Sequence, residues 1–219
     1  MLENLKREVI KAAQDGQRLD LCKHKSGNFS IRDKETGYVV VTPSGVNREE
    51  LTVDDICVLT VDGELIEVKN GRRPSSETMM HLEVYKARRD IMAIVHTHSK
   101  MATSFAVLNK PIPAIIYEVA TFGLKDAVVP VAPYARPGTV ELAKSVIEPV
   151  KRADIFLLEK HGVVACGTDM YEAFLRAQYV EELAEVYYYT LLINKGNEPA
   201  SFSPEELERW KYPEKLEKK

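Results

Sequence analysis

Near the start of the chain, Leu2, Leu5, Val9, Ala12, Ala13 and Leu19 recur at helical spacing with charged residues between them, which predicts an amphipathic helix over residues 2–21. The pattern then changes to short β-prone runs. Residues 26–31 and 38–42 flank the polar, Gly-ended segment 33–37 and predict two paired strands. The second runs directly into Pro43-Ser44-Gly45, a loop of turn-forming residues. Residues 56–61 and 65–68 surround Asp62-Gly63, a strong short-range hairpin signal. Ser75-Ser76 sits at the start of a helix over 77–89, and the apolar run 91–95 predicts a strand ending abruptly in His96-Thr97-His98-Ser99, with a further helix to Asn109.

Farther along, 111–117 and 128–131 read as strands or extended segments, and 138–147 as a helix that Pro149 stops. Residues 155–158 and 163–166 are apolar runs on either side of Glu159-Lys160-His161-Gly162. A long helix is expected over 170–194, and Ser203-Pro204-Glu205-Glu206 opens a last one, with Ser as cap and Pro at the first position. Residues 210–219 form a charged tail, expected to be mobile. With no linker, repeat or low-complexity stretch, the pattern predicts one α/β domain over residues 1–219, with helices on the faces of a largely antiparallel, hairpin-rich sheet.

Composition narrows the function. The 219 residues are 45% hydrophobic and 29% charged, which excludes disordered and collagen-like classes. Thirty Lys and Arg against 33 Asp and Glu give a net charge of -3, so no bulk positive field exists to grip nucleic acid or an anionic membrane. Any anion must be held by a local site. Cys22, Cys57 and Cys166 have neither CxxC spacing nor an even count; they read as buried free thiols in a reducing compartment. The N-terminal residues lack the apolar region of a signal peptide, and no apolar run approaches ~18 residues, so a cytoplasmic location is expected.

Two groups of residues carry chemistry. His96 and His98, at i and i+2, project from one face of an extended segment and can converge on one ion, although two polar residues capping a strand would look the same. His161 also sits where an apolar run breaks, beside Gly162, and three His at strand ends make an open site for Zn²⁺. Glu77, at a helix start, reads as a fourth ligand, a base, or merely a favourable partner of the helix dipole. His24 and His81 have no companion at ligand spacing and are assigned structural roles. The second group is Gly27-Asn28, Ser44-Gly45 and Ser75-Ser76, small polar residues that together form an uncharged anion cradle, though each alone is an ordinary turn. Neither GxGxxG nor a P-loop sequence occurs.

Ser26-Gly27-Asn28-Phe-Ser, Thr42-Pro-Ser44-Gly45, Pro74-Ser75-Ser76-Glu77, His96-Thr-His98-Ser, Ile112-Pro-Ala-Ile-Ile-Tyr117, Ala132-Pro-Tyr-Ala-Arg-Pro-Gly138-Thr and Lys160-His161-Gly162, in this order, resemble the class II aldolase/adducin family across nearly the whole chain. The resemblance implies a three-layer α/β/α fold around a largely antiparallel central sheet, and a homotetramer with active sites at subunit interfaces. It implies zinc held by Glu77, His96, His98 and His161, with Glu77 also an acid/base. Gly27, Asn28, Ser44, Gly45, Ser75 and Ser76 match the positions that hold the substrate phosphate. Tyr117 matches a tyrosine that reaches the neighbouring subunit's site as proton donor, and Tyr212 loosely matches a second one on the tail.

The implied reaction is zinc-dependent cleavage of a ketose 1-phosphate of the L-fuculose 1-phosphate type to dihydroxyacetone phosphate and an aldehyde. Two departures concern the aldehyde end. Arg136-Pro137 replaces a Thr-Phe pair typical of fuculose phosphate aldolases, and the stretch from Tyr117 to Pro130 is two residues longer. Rival readings are an L-ribulose-5-phosphate 4-epimerase, a methylthioribulose- or 5-deoxyribulose-1-phosphate dehydratase or aldolase, and a non-enzymatic adducin-like binding module. Glu77 in place of the epimerase Asp, and the presence of every metal ligand, favour an aldolase.

Overall fold

The computed structural model describes residues 2–209. The first periodic segment forms α1 (Glu3–Arg18), which buries Val9, Ala12 and Ala13 against the sheet. β1 (Asn28–Arg32), β2 (Val39–Val41), β3 (Cys57–Leu59) and β4 (Leu65–Glu67) follow, each antiparallel to the one before. Next come α2 (Thr78–Ala87), β5 (Ala93–Thr97) and α3 (Lys100–Val107). β6 (Ile112–Pro113), β7 (Val128–Val129) and β8 (Val131–Ala132) are short. α4 (Val140–Ser145), α5 (Ile147–Arg152), β9 (Ile155–Leu158), β10 (Gly162–Gly167), α6 (Met170–Ile193) and α7 (Pro204–Arg209) complete the order.

Eight strands form one sheet in the order β4-β3-β2-β1-β5-β10-β9-β8, and only β8 and β9 run parallel. The expected α/β/α layering with a largely antiparallel sheet is thus the observed one. Strand alternation divides the core. Phe29, Ala93, Val95, Val163 and Leu157 face α1, α3 and α6, whereas Ile94, Val164, Phe156 and Leu158 face α2, α4 and α5. β5, β9 and β10 are buried on both faces, which is why they read as continuous apolar runs.

One local expectation is corrected and two are refined. Pro149 does not stop a helix: it is the third residue of α5, where the backbone N–H has no intrahelical acceptor and its loss costs little. Of residues 111–117 only Ile112 and Pro113 are strand, and a 3-10 helix starts at Tyr117. The run 128–131 splits at Pro130, with β7 pairing β6 in a separate two-stranded sheet and β8 joining the main one. The charged tail, 210–219, lies outside the described residues. No helix among the described residues is long and apolar enough to cross a membrane.

Candidate active site

The register of three central strands assembles the site. Asn28 of β1 lies opposite His96 of β5, and His96 opposite Val164 of β10. Alternation sends Asn28 and His96 to the α2 face, where Glu77 forms the N-terminal boundary of that helix. His98 follows two residues after His96, just beyond the strand. His161 arrives from the three-residue loop between β9 and β10, a tight turn in which Lys160 takes the left-handed conformation with φ 57°. Gly162 is required there: a Cβ would strike the Thr97 carbonyl and sit 3.1 Å from His98 Cδ2 and 3.3 Å from His96 Cε1.

These elements bring the four sequence-derived candidates together. His96 Nε2 lies 3.2 Å from Glu77 Oε2, His161 Nε2 3.1 Å from Glu77 Oε1, and His98 Nε2 3.1 Å from His96 Nε2. One donor atom from each of the four falls within 4.8 Å of all the others. His96 Nδ1 donates to the Val163 carbonyl at 2.8 Å, which leaves the Nε2 lone pair facing the group. Burial, then the neighbouring His96 and His161, pushes the His98 pKa down to about 3, so its ring is neutral. Burial opposes ionisation of Glu77, but the facing His96 and His161 outweigh it and keep the carboxyl below its ordinary range. Glu77 Oε1 is buried without a hydrogen-bond donor. Inward-facing imidazole nitrogens and an orphaned carboxylate oxygen form a donor set that could hold a divalent cation, and nitrogen with oxygen in a four-ligand group fits the chemistry of zinc.

Beside this group lies a cavity of about 270 Å³, lined by Gly27, Asn28, Ser44, Gly45, Ser75 and Ser76 together with Glu77, His98 and His161. Two loops form one wall, clipped together by Ser44 N–H to the Arg73 carbonyl at 2.9 Å and Ser75 N–H to the Thr42 carbonyl at 3.1 Å. Gly27, at φ +78°, has no room for a Cβ, which would meet Cys22 Sγ at 2.5 Å and the His96 carbonyl at 2.6 Å. All six cradle residues read from the sequence therefore reach one cavity. Pro137, singled out above as part of a departure at the aldehyde end, also lines it, as does Lys25, which no sequence pattern marked.

Sequence reasoning also missed Arg48. It is buried, and its guanidinium donates to the carbonyls of His24, Ser26 and Gly27, bracing the turn that carries the cradle. Its cation stands behind the cavity wall. His81, assigned only a structural role, is fully buried and donates to Asn28 Oδ1; its position four residues after Glu77, on the same helix face, was the available signal. His24 is exposed, as are the residues around it in the 23–25 turn, and belongs to neither group. Cys22, Cys57 and Cys166 are free and buried, as expected. Tyr117 is 58% exposed at the start of its 3-10 helix and does not line the cavity within this chain. Tyr212 lies outside the described residues.

With this geometry in place, known proteins give a consistent match. The family model described as class II aldolase and adducin N-terminal domain matches residues 7–188. A 5-deoxy-D-ribulose 1-phosphate aldolase of Bacillus thuringiensis is 36% identical over 95% of this chain and 94% of its own length. An L-fuculose phosphate aldolase of Escherichia coli K12 is 36% identical over 86% of this chain and 85% of its own. A solved L-fuculose 1-phosphate aldolase superposes with a TM-score of 0.87 at 36% identity, covering 94% of this chain and 93% of that one. The Glu/His group and its polar cavity therefore sit in a chain that belongs to the class II aldolase/adducin family.

Proposed function

We propose that this class II aldolase cleaves a ketose 1-phosphate reversibly to dihydroxyacetone phosphate and an aldehyde, with one Zn²⁺ per subunit held by Glu77, His96, His98 and His161. The observation that carries the reading is the convergence of those four donors beside a cavity lined by the six cradle residues. When bound, the cation supplies Lewis acidity toward the oxygens of the ketose as charge develops on that half. Gly27, Asn28, Ser44, Gly45, Ser75 and Ser76 hold the phosphate, so binding energy far from the reacting carbons orients the chain. Cleavage breaks C3–C4, leaves the electron pair on C3, removes the proton from the C4 hydroxyl and delivers one to C3. We assign the proton at C3 to the Glu77 carboxyl and the proton on the C4 oxygen to the Tyr117 hydroxyl of a neighbouring copy.

That last role requires assembly, and a homotetramer with sites at its interfaces fits the exposed Tyr117, Tyr188, Tyr189 and Ile193. The chain is read as a single cytoplasmic domain, consistent with its free, buried thiols. The relatives divide between 5-deoxyribulose and fuculose substrates. Pro137, which follows Arg136 in sequence, lines the cavity, and we assign that side to the aldehyde end. A panel of L-fuculose 1-phosphate, 5-deoxyribulose 1-phosphate and L-ribulose 5-phosphate, assayed for triose phosphate release alongside metal analysis, tests the proposal. Release of dihydroxyacetone phosphate by zinc-containing protein is expected. An isomer without triose phosphate would make the enzyme an epimerase, and protein that neither contains nor gains a divalent metal would remove the catalytic reading.

A further inference from the structure

Behind the cavity a line of buried polar side chains leads away from Glu77 into the core between β1 and α2. Asn28 Nδ2 donates to Glu77 Oε2 at 2.8 Å. Asn28 Oδ1 lies 2.5 Å from His81 Nε2, His81 Nδ1 2.6 Å from Ser30 Oγ, and Ser30 Oγ 2.8 Å from the Tyr85 hydroxyl. Ser30, His81 and Tyr85 are fully buried, and Asn28 nearly so.

The polarity of this line is fixed from the Glu77 end. A carboxylate only accepts, so Asn28 must turn its NH₂ toward it and its Oδ1 toward His81. His81 Nε2 must then carry a hydrogen. Because burial pushes the His81 pKa down to about 3, the ring is neutral, and Nδ1 is a bare acceptor for the Ser30 hydroxyl. Ser30 in turn accepts from Tyr85. Each contact along the line then pairs one donor with one acceptor, whereas the reversed arrangement would place the Asn28 carbonyl oxygen 2.8 Å from a carboxylate oxygen.

We propose that His81 is a positioning residue: supported by Ser30 and Tyr85, it holds the Asn28 amide in one orientation, so that one N–H is committed to Glu77 and the other is available to a phosphate oxygen in the cavity. The inference rests on the reading of that cavity as the phosphate site. It makes the placement of the acid/base carboxyl and the grip on the phosphate depend on a single amide, whose orientation is set in the core.

The test is a double-mutant cycle read by calorimetric binding of inorganic phosphate to the zinc-loaded protein, with thermal melts as a folding control. Ser30→Ala deletes one buried oxygen and should weaken phosphate binding by about fivefold. In an Asn28→Ala background the same change should have no further effect, since the amide it orients is gone. His81→Gln keeps a donor to Asn28 and should bind phosphate within about threefold of the parent, whereas His81→Leu should lose about tenfold. Wild-type affinity in Ser30→Ala and His81→Leu, or an equal loss in both backgrounds, would overturn the positioning role. Unchanged binding in Asn28→Ala alone would instead overturn the phosphate reading, and the inference with it.

Discussion

At the residue scale, the Glu/His group depends as much on what is missing at position 162 as on its four side chains. Gly162 lets the β9–β10 turn approach β5 closely enough for His96, His98 and His161 to bring their ring centroids within 4.9 Å of one another. Gly162→Ala is expected to force the turn away from the Thr97 carbonyl, costing about 1–3 kcal/mol in urea denaturation and at least about tenfold in zinc affinity by competitive chelator titration. Of this site, the four converging Glu and His side chains and the six residues of the cavity wall were legible because each sits at a strand end, turn or helix start inside a motif that resembles the family. His81 and Arg48 were not. His81 touches Asn28 across 53 positions of sequence, and Arg48 lies in a Glu-flanked polar segment that resembles solvated surface, so only tertiary packing reveals either.

At the element scale, α3 begins two residues after His98, and its first turn is capped from another helix. Glu181 of α6 accepts from the backbone N–H groups of Met101 at 2.8 Å and Ala102 at 2.9 Å. A carboxylate there satisfies orphan donors and complements the dipole. Glu181→Ala should therefore lower stability by about 1–2 kcal/mol in urea melts, with Glu181→Gln recovering part of the loss. The hairpins were readable because Asp62-Gly63 and the Gly-ended turns carry their own geometry. The course of 128–131 was not, because Pro130 permits either continuation or a change of sheet, and the choice belongs to β6 and β9. Pro149 was misread for a related reason. A proline breaks a helix interior but fits a first turn, and only the boundary near Val146 distinguishes the two.

At the scale of the whole molecule, buried His81 makes the fold sensitive to acid. Its pKa is about 3 in the folded chain against 6.5 when exposed, so below pH 6.5 the unfolded state binds the extra proton and stability falls. Between pH 7.5 and 5 this one group should remove about 2 kcal/mol from the metal-free protein. His81→Gln should flatten that part of the pH–stability curve measured by denaturant melts. Assembly supplies a second expectation. If Tyr117 serves a neighbouring copy, Tyr117→Phe should retain zinc and the tetramer in light scattering while kcat drops about 10²-fold. Full turnover by that variant would take the residue out of the mechanism.

The backbone clip between the 42–45 and 73–76 loops has a consequence for how tightly the proposed phosphate ester would be held. Two surface loops left independent would each lose conformational freedom on capturing a ligand, and that entropy would be subtracted from the affinity. Here Ser44 and Ser75 are already bound to the opposite loop through their own amides. The ordering is completed when the chain folds, so under the proposed function the cavity would meet a phosphate ester preorganised, leaving more of the contact energy for orienting the rest of the substrate.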